Sequence, residues 1–257
     1  MPFPLQDQFD RFLQRRAIKR WRKAAVDVAA TDLGLLDRKN ELAKRTLRAV
    51  SAFKFEADSR LALPRIGSTK FPQPSGTDWA WRPKPWRAPV MPAGIAPALS
   101  KMELTNELVI FHDCKRSEVS LRQARNTRDV DLSPFGVALD VFHFDGSYLS
   151  LVIEIPQASC EGLKKRHLIR LAAVIEREKP TTIYARLNVK NGPNTEQVLL
   201  TLPDATPETM VEFDLAYSGL NERRAERMWI DLMIESPAMN KIDIRDFTLC
   251  RYPRADI

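Results

Sequence analysis

The sequence has few of the residues from which recognisable active sites are built. Its 257 residues include only nine glycines. None of them forms a phosphate-cradling loop, so a P-loop or a dinucleotide fingerprint is excluded. A G-x-S-x-G elbow, an H-E-x-x-H pair and an acidic calcium loop are likewise missing. The three cysteines, Cys114, Cys160 and Cys250, are odd in number and far apart. That spacing argues against a disulfide framework or a zinc site and for free thiols in a reducing compartment. The three histidines, His112, His143 and His167, fall on different candidate strands, none with a second ligand at helical or i, i+2 spacing. Each reads as a solvent-facing or hydrogen-bonded strand residue. No stretch approaches the roughly 18 consecutive apolar residues that cross a bilayer. The opening MPFPLQDQFDRF lacks the charged and apolar regions of a secretory signal. The expectation is a protein without transmembrane helix or signal peptide and without cofactor, cytoplasmic or released with a particle.

Charge is plentiful and unevenly spread. Forty Lys plus Arg against 33 Asp plus Glu give a net charge of +7. Residues 1–63 hold 14 basic and 8 acidic residues, residues 64–98 five and one, and residues 99–257 twenty-one and twenty-four. A basic arm is thus joined to a mildly acidic globule.

Within residues 5–30, Phe9, Phe12, Leu13, Ala17, Trp21, Ala24 and Val28 recur at spacings of three and four, which predicts an amphipathic helix. Its other side carries Arg15, Arg16, Lys19, Arg20, Arg22 and Lys23, and Thr31, Asp32 and Gly34 close it. A second helix is expected from about Arg38 to Leu63, with Asp37 as N-cap and Leu42, Thr46, Ala49 and Phe53 on its buried side. The basic side, with Trp21 at its boundary, has three readings. It could contact nucleic acid non-specifically, lie on a membrane surface, or anchor the chain to an acidic protein surface or assembly or simply pack on the chain's own acidic sandwich. Specific nucleic-acid recognition is not expected, since no recognition motif accompanies the charge.

Residues 64–98 hold eight of the 18 prolines together with Trp79, Trp81 and Trp86. Proline fixes φ and removes a donor, so helix and central strand are both disfavoured. An extended strap is expected, its indoles either packed on the neighbouring globule or gripping a partner.

From about residue 99 the period becomes two. Ile183, Ala185, Leu187 and Val189 alternate with Tyr184, Arg186, Asn188 and Lys190. In a second run, Met228, Ile230, Leu232 and Ile234 alternate with Trp229, Asp231, Met233 and Glu235. Val211, Phe213 and Leu215 repeat the pattern, and further strands are expected at 107–112, 118–123, 137–144, 147–155, 195–202 and 241–251. HLIRLAAVIER, residues 167–177, is ambiguous by period and takes the strand reading of its neighbours. Turn chemistry at Ser133-Pro134, Asp145-Gly146 and Asn191-Gly192-Pro193-Asn194 separates them. The fold class is therefore mainly β: an antiparallel jelly-roll-like sandwich at 99–257, preceded by a helical arm at 1–63 and a Pro/Trp-rich strap at 64–98.

If the two alternating strands are neighbours, Tyr184, Arg186, Asn188, Asn191 and Asn194 share a face with Trp229 and Asp231. Flat rings, amides and a guanidinium suit a sugar, whose C–H side stacks while its hydroxyls hydrogen-bond. They also suit a protein partner, or a second layer of core under the strap. Asp140, Asp145, Glu154, Asp214, Asp231, Asp243 and Asp246 could supply a catalytic carboxylate pair, though most alternate with apolar neighbours as ordinary solvated strand residues do.

The strings FDGSYLSLVI (144–153), ARLNVKNGPNTE (185–196) and IRDFTLCRYPRA (244–255) resemble a domain family of unknown function from alphaproteobacteria. That likeness covers most of the chain and implies no catalytic role. The closing Asp246-Phe247-Thr248-Leu249 also resembles the D-[FV]-x-L that ends jelly-roll carbohydrate-binding modules, a short likeness that implies a fold more than a ligand. The expected function is non-catalytic: a recognition module anchored by its basic arm, such as a decoration or spike-base component of a phage-like (gene transfer agent) particle. The alternative is a carbohydrate-binding module, or a glycan hydrolase or lyase working through a carboxylate pair. The expected partners are a protein assembly or acidic protein surface, a glycan, or a membrane surface through the basic helix.

Overall fold

The computed structural model describes residues 4–61, 66–68 and 70–254. The chain divides into two compact units, Met1–Asp58 and Ser59–Ile257.

In the first unit, helix α1 (Pro4–Val26) leads through a 3-10 turn (Val28–Ala30) into helix α2 (Leu33–Leu61). Leu63, the expected end of the second helix, lies outside the described residues. That helix starts earlier than its apolar spacing predicts, because Asp32 and not Asp37 caps it. The Asp32 carboxylate accepts from the N–H groups of Gly34 at 3.0 Å and Leu35 at 3.3 Å, two donors that the first turn otherwise leaves unpaired. Gly34, which reads as a stop, instead lies within that first turn. A second expectation also fails. Leu42 is 50% and Phe53 73% exposed, with Thr46 and Ala49 also exposed, so the side expected to be buried faces outward. Among the described residues the helices do not pack along their lengths. They meet near the turn, where Trp21, Ala24, Val28, Leu33, Leu36 and Ala43 line an apolar cleft.

The second unit is an antiparallel jelly-roll-like β-sandwich. One sheet contains β1 (Trp79–Trp81), β2 (Gly94–Ile95), β5 (Val119–Arg125), β6 (Phe135–Val141), β8 (His167–Arg177), β11 (Glu208–Asp214) and β13 (Asn240–Pro253). Its order is β11-β8-β13-β6-β5-β2, with β1 added on β13. The other contains β3 (Met102–Thr105), β4 (Leu108–His112), β7 (Leu149–Ile155), β9 (Ile183–Asn191), β10 (Asn194–Thr201) and β12 (Ala225–Ile234), in the order β10-β9-β12-β7-β4-β3. The ambiguous segment 167–177 is strand β8. Alternation sends one set of side chains on each strand inward: Leu108, Ile110, Leu151, Ile153, Leu187 and Ile230 of one sheet meet Leu121, Leu139, Ile169, Leu171, Phe213 and Phe247 of the other. Each such side chain contributes roughly 1.5–3 kcal/mol by leaving water.

The strap is more regular than its prolines predict. Trp79, Ala80 and Trp81 form a proline-free stretch that pairs with Arg251, Cys250 and Leu249 of β13. Pro83 then caps a single helical turn, α3 (Lys84–Arg87), with Pro85 in the first turn, where no intrahelical N–H bond is lost. The strap docks on the sandwich: Trp86 is fully buried, Trp81 is 7% exposed, and Trp79 is half-buried and stacked on Trp81 at 6.2 Å. The Trp86 indole donates to the Ile244 carbonyl at 2.8 Å and packs on Phe247 with ring centroids 5.4 Å apart. A register shift between Ile244 and Asp246 reverses which face each β13 residue serves, so Ile242 and Ile244 before it, and Phe247 and Leu249 after it, all point into the core.

Candidate functional site

The outer face of the six-stranded sheet carries the polar half of the alternation. On β9 and β12, Asn188 stands opposite Trp229, Arg186 opposite Asp231, and Tyr184 opposite Met233. On the other side of β12, Trp229 faces Glu154, Asp231 faces Val152, and Met233 faces Ser150 of β7. Ser150 in turn faces Phe111 of β4. These rows form the floor of an open groove of about 670 Å³, with Phe111, Tyr148, Tyr184, Trp229 and Met233 among its lining residues.

The polar groups of the floor are tied to one another. Arg186 donates from Nε and Nη2 to Asp231 Oδ2 at 2.9 and 2.6 Å, and Asn188 Nδ2 donates to the same oxygen at 3.0 Å. Gln197 Nε2 completes the chain by donating to Asn188 Oδ1 at 3.0 Å. At one side Arg227 holds both oxygens of Glu154 and lays its guanidinium 4.8 Å from the centre of the Trp229 ring. At the other, the Tyr184 hydroxyl donates to Glu235 Oε2 at 3.3 Å. The hydroxyl of Ser150 is the exception: it is buried in the floor and has no hydrogen-bond partner among the described residues.

Of the seven residues expected on this face, the structure brings five together; Asn191 is buried at the end of β9, in step with the inward-facing Leu187 and Val189. Tyr184, Arg186 and Trp229 are partly exposed, whereas Asn188 and Asp231 are buried and act as floor, not as presented groups. Asn194 stands at the β9–β10 turn, outside the groove, and pairs with Asn191. Met233 follows from the alternation that also sets out Trp229 and Asp231, and Glu154 is one of the candidate carboxylates, but Phe111, Tyr148, Ser150 and Arg227 are not legible from sequence as members of this site. Their signal depends on register, which places Glu154 beside Trp229 and Ser150 between Met233 and Phe111.

The remaining candidates lie elsewhere. Arg15, Arg16, Lys19, Arg20, Arg22 and Lys23 are exposed on α1, with Trp21 half-buried among them and the Arg20 guanidinium 5.7 Å from its ring. His112 is buried, donating from Nε2 to the Ala98 carbonyl at 2.9 Å and accepting at Nδ1 from the Cys114 N–H at 3.2 Å. His167 is buried at the start of β8, and burial pulls its pKa below the usual histidine range. No group of three or more His, Cys, Asp or Glu among the described residues could hold a metal ion. The three cysteines are free thiols, and burial pushes Cys250 up to about 11. Asp246, a candidate carboxylate, is buried under the strap with its pKa raised by burial, away from the groove.

In class, then, this is a two-sheet β-sandwich with a groove across one outer face, preceded in the chain by two helices. The chain belongs to the family described as "Family of unknown function (DUF6478)", whose model matches residues 1–257. Curated proteins give no sequence match. Among solved structures, the family 11 carbohydrate-binding module from Clostridium thermocellum, in complex with a β-1,3-1,4-mixed-linked tetrasaccharide, is similar at a TM-score of 0.38 and 13% identity, over 61% of this chain and 96% of that one. The CBM22-1 xylan-binding domain of Paenibacillus barcinonensis Xyn10C has a TM-score of 0.37 and 8% identity, over 63% and 94% of the two chains. The enzymatically active domain of tailspike protein 4 from bacteriophage CBA120 has a TM-score of 0.41 and 9% identity, over 61% of this chain and 21% of that one.

Proposed function

We propose that the groove on the six-stranded sheet binds a glycan chain, and that this domain acts by binding and not by catalysis. The observation that carries the reading is the set of flat side chains, Phe111, Tyr148, Tyr184 and Trp229, around one open groove with a hydrogen-bonded polar floor. Sugar rings stack their C–H faces on aromatics, and their hydroxyls pair with carboxylates, amides and guanidinium groups. Phe111 and Tyr184 end a row that crosses four strands, so they are about 14 Å apart, a span suited to a short oligosaccharide.

The carboxylates support binding over hydrolysis. A glycosidase needs one carboxyl group carrying a proton to donate and a second free to attack or to activate water. Glu154 accepts from Arg227 at both oxygens, Asp231 accepts from Arg186 and Asn188, and Glu235 accepts from Tyr184. Glu154 and Asp231 are thus held in ion pairs with arginines, and Glu235 accepts at one oxygen from Tyr184. Deployment on a phage-like particle is a separate reading, and no contact in the structure supports it.

Affinity electrophoresis of the full chain through gels containing soluble polysaccharides tests the proposal. Retardation by at least one polysaccharide, lost in Trp229→Ala and Tyr184→Ala, is the expected result. Unchanged mobility in neutral and acidic polysaccharides alike would remove the glycan reading, and release of reducing ends during incubation would remove the non-catalytic one.

A further inference from the structure

Many arginines of the second unit pair with carboxylates. Arg82 pairs with Asp246, Arg128 with Asp131, Arg170 with Glu212, Arg186 with Asp231, Arg227 with Glu154 and Arg245 with Glu176. The cations of α1 are treated differently. Arg15, Arg16, Lys19, Arg20, Arg22 and Lys23 are all exposed, and none has a carboxylate partner among the described residues. At 100° per residue, these six fall within one arc of about 160° on the helix. Ala17, Trp21 and Ala24 occupy the opposite side and are half-buried. The helix therefore turns its cations outward as a single face.

That face is not purely polar. Contrary to the expected apolar side, Phe12 lies within the basic arc, as does Val26, with Leu13 and Ile18 at its two margins; all four are exposed, Phe12 by 57% and Val26 by 82%. Across the turn, α2 exposes Leu42, Leu47, Val50 and Phe53. An unpaired cationic face with apolar side chains among the charges selects its partner by chemistry. A second copy of the arm would set like charges against each other. The phosphates of a nucleic acid would engage the cations and leave Phe12, Leu13, Ile18 and Val26 in water. The headgroup region of an anionic bilayer accepts both, with cations at the phosphates and apolar side chains at the acyl boundary.

We propose that the basic face of α1 docks the chain on an anionic lipid surface, independently of what the sandwich groove binds. Adsorption rests on unpaired charge reinforced by a few apolar side chains, so it is reversible and salt-sensitive, since exposed charges are screened over about 10 Å at 0.1 M ionic strength.

The test is co-sedimentation of the full chain with vesicles of phosphatidylcholine, or of phosphatidylcholine mixed with phosphatidylglycerol, at low and high salt. Binding is expected only to the mixed vesicles and is expected to be lost at high salt. The variant Arg15→Glu/Lys19→Glu/Arg22→Glu should weaken it by at least about 100-fold, at several-fold per charge near the surface. Phe12→Ser/Leu13→Ser should weaken it by about 10-fold through lost apolar burial. Circular dichroism checks that the helix survives, and Arg15→Gln/Lys19→Gln/Arg22→Gln gives a milder set that keeps helix-forming residues. Three results would overturn the proposal: no sedimentation with the mixed vesicles, equal binding to phosphatidylcholine alone, or binding to duplex DNA tighter than to vesicles and indifferent to Phe12→Ser/Leu13→Ser.

Discussion

Arg82 and Asp246 lie 164 positions apart in sequence and form a bidentate ion pair, with Nε and Nη2 each 2.8 Å from a carboxylate oxygen. The Arg82 side chain has no solvent exposure, and its remaining terminal nitrogen donates to the Ser68 carbonyl at 2.9 Å. The pair fastens the strap to the last strand of the sandwich. Its presence is no guarantee of net stabilisation, because burying two charges costs several kcal/mol that the pairing must offset.

Removing one partner leaves the other charge buried and alone. Arg82→Met is therefore expected to lower unfolding stability by about 3–5 kcal/mol, read as a drop in the urea midpoint. Arg82→Met/Asp246→Leu should recover most of that loss. A single variant no less stable than wild type would show that the strap is not held here.

Trp86 tests the same attachment through apolar burial. Trp86→Ala opens a cavity against Phe247 and is expected to cost about 3–5 kcal/mol. Trp86→Phe keeps the ring stacking but leaves the Ile244 carbonyl without its indole donor, and should cost about 1 kcal/mol plus the lost volume. Thermal unfolding of the two variants, compared with wild type, separates these contributions.

Ser150 offers a test that sets stability against binding. Its hydroxyl is buried without a partner among the described residues, so Ser150→Ala should leave the fold as stable or up to about 1 kcal/mol more stable. If the hydroxyl serves a sugar in the groove, the same change weakens retention in polysaccharide gels. A variant that gains stability and keeps full retention would place the ligand elsewhere in the groove.

The groove rim also has a defined response to acid. Asp113 accepts from the Ser147 hydroxyl at 2.6 Å and from the N–H groups of Ser147 at 2.7 Å and Tyr148 at 3.2 Å. These bonds, the Ser147 hydroxyl foremost, hold its pKa below the usual aspartate range. A depressed native pKa means the ordering is fully present above the unfolded value and is lost as pH falls through the native one. Glycan retention that depends on Tyr148 should thus stay level from about pH 8 to pH 5 and fall only below about pH 4. Asp113→Asn should lower it at every pH. A fall centred between about pH 6 and 7 would point to a histidine instead.

Much of this protein follows from local pattern. The two-residue period of 183–190 and 228–235 placed Ile183, Leu187, Ile230 and Leu232 inside and put Tyr184, Arg186, Trp229 and Asp231 on the opposite face, because successive side chains on a strand must point to opposite sides. The clustering of charge in the first 63 residues likewise marked the exposed cations of α1. What lies across strands was not legible. That Glu154 would flank Trp229, that Ser150 would be buried between Met233 and Phe111, and that Arg82 would meet Asp246 all depend on strand order and register, which the alternation leaves open. The start of α2 depended on which of two aspartates turned its carboxylate to the free N–H groups. Local period determined which face each residue takes. Only the tertiary structure decided which residues meet on that face, since a hydrogen-bonded pair or a groove is made by segments that the chain itself keeps far apart.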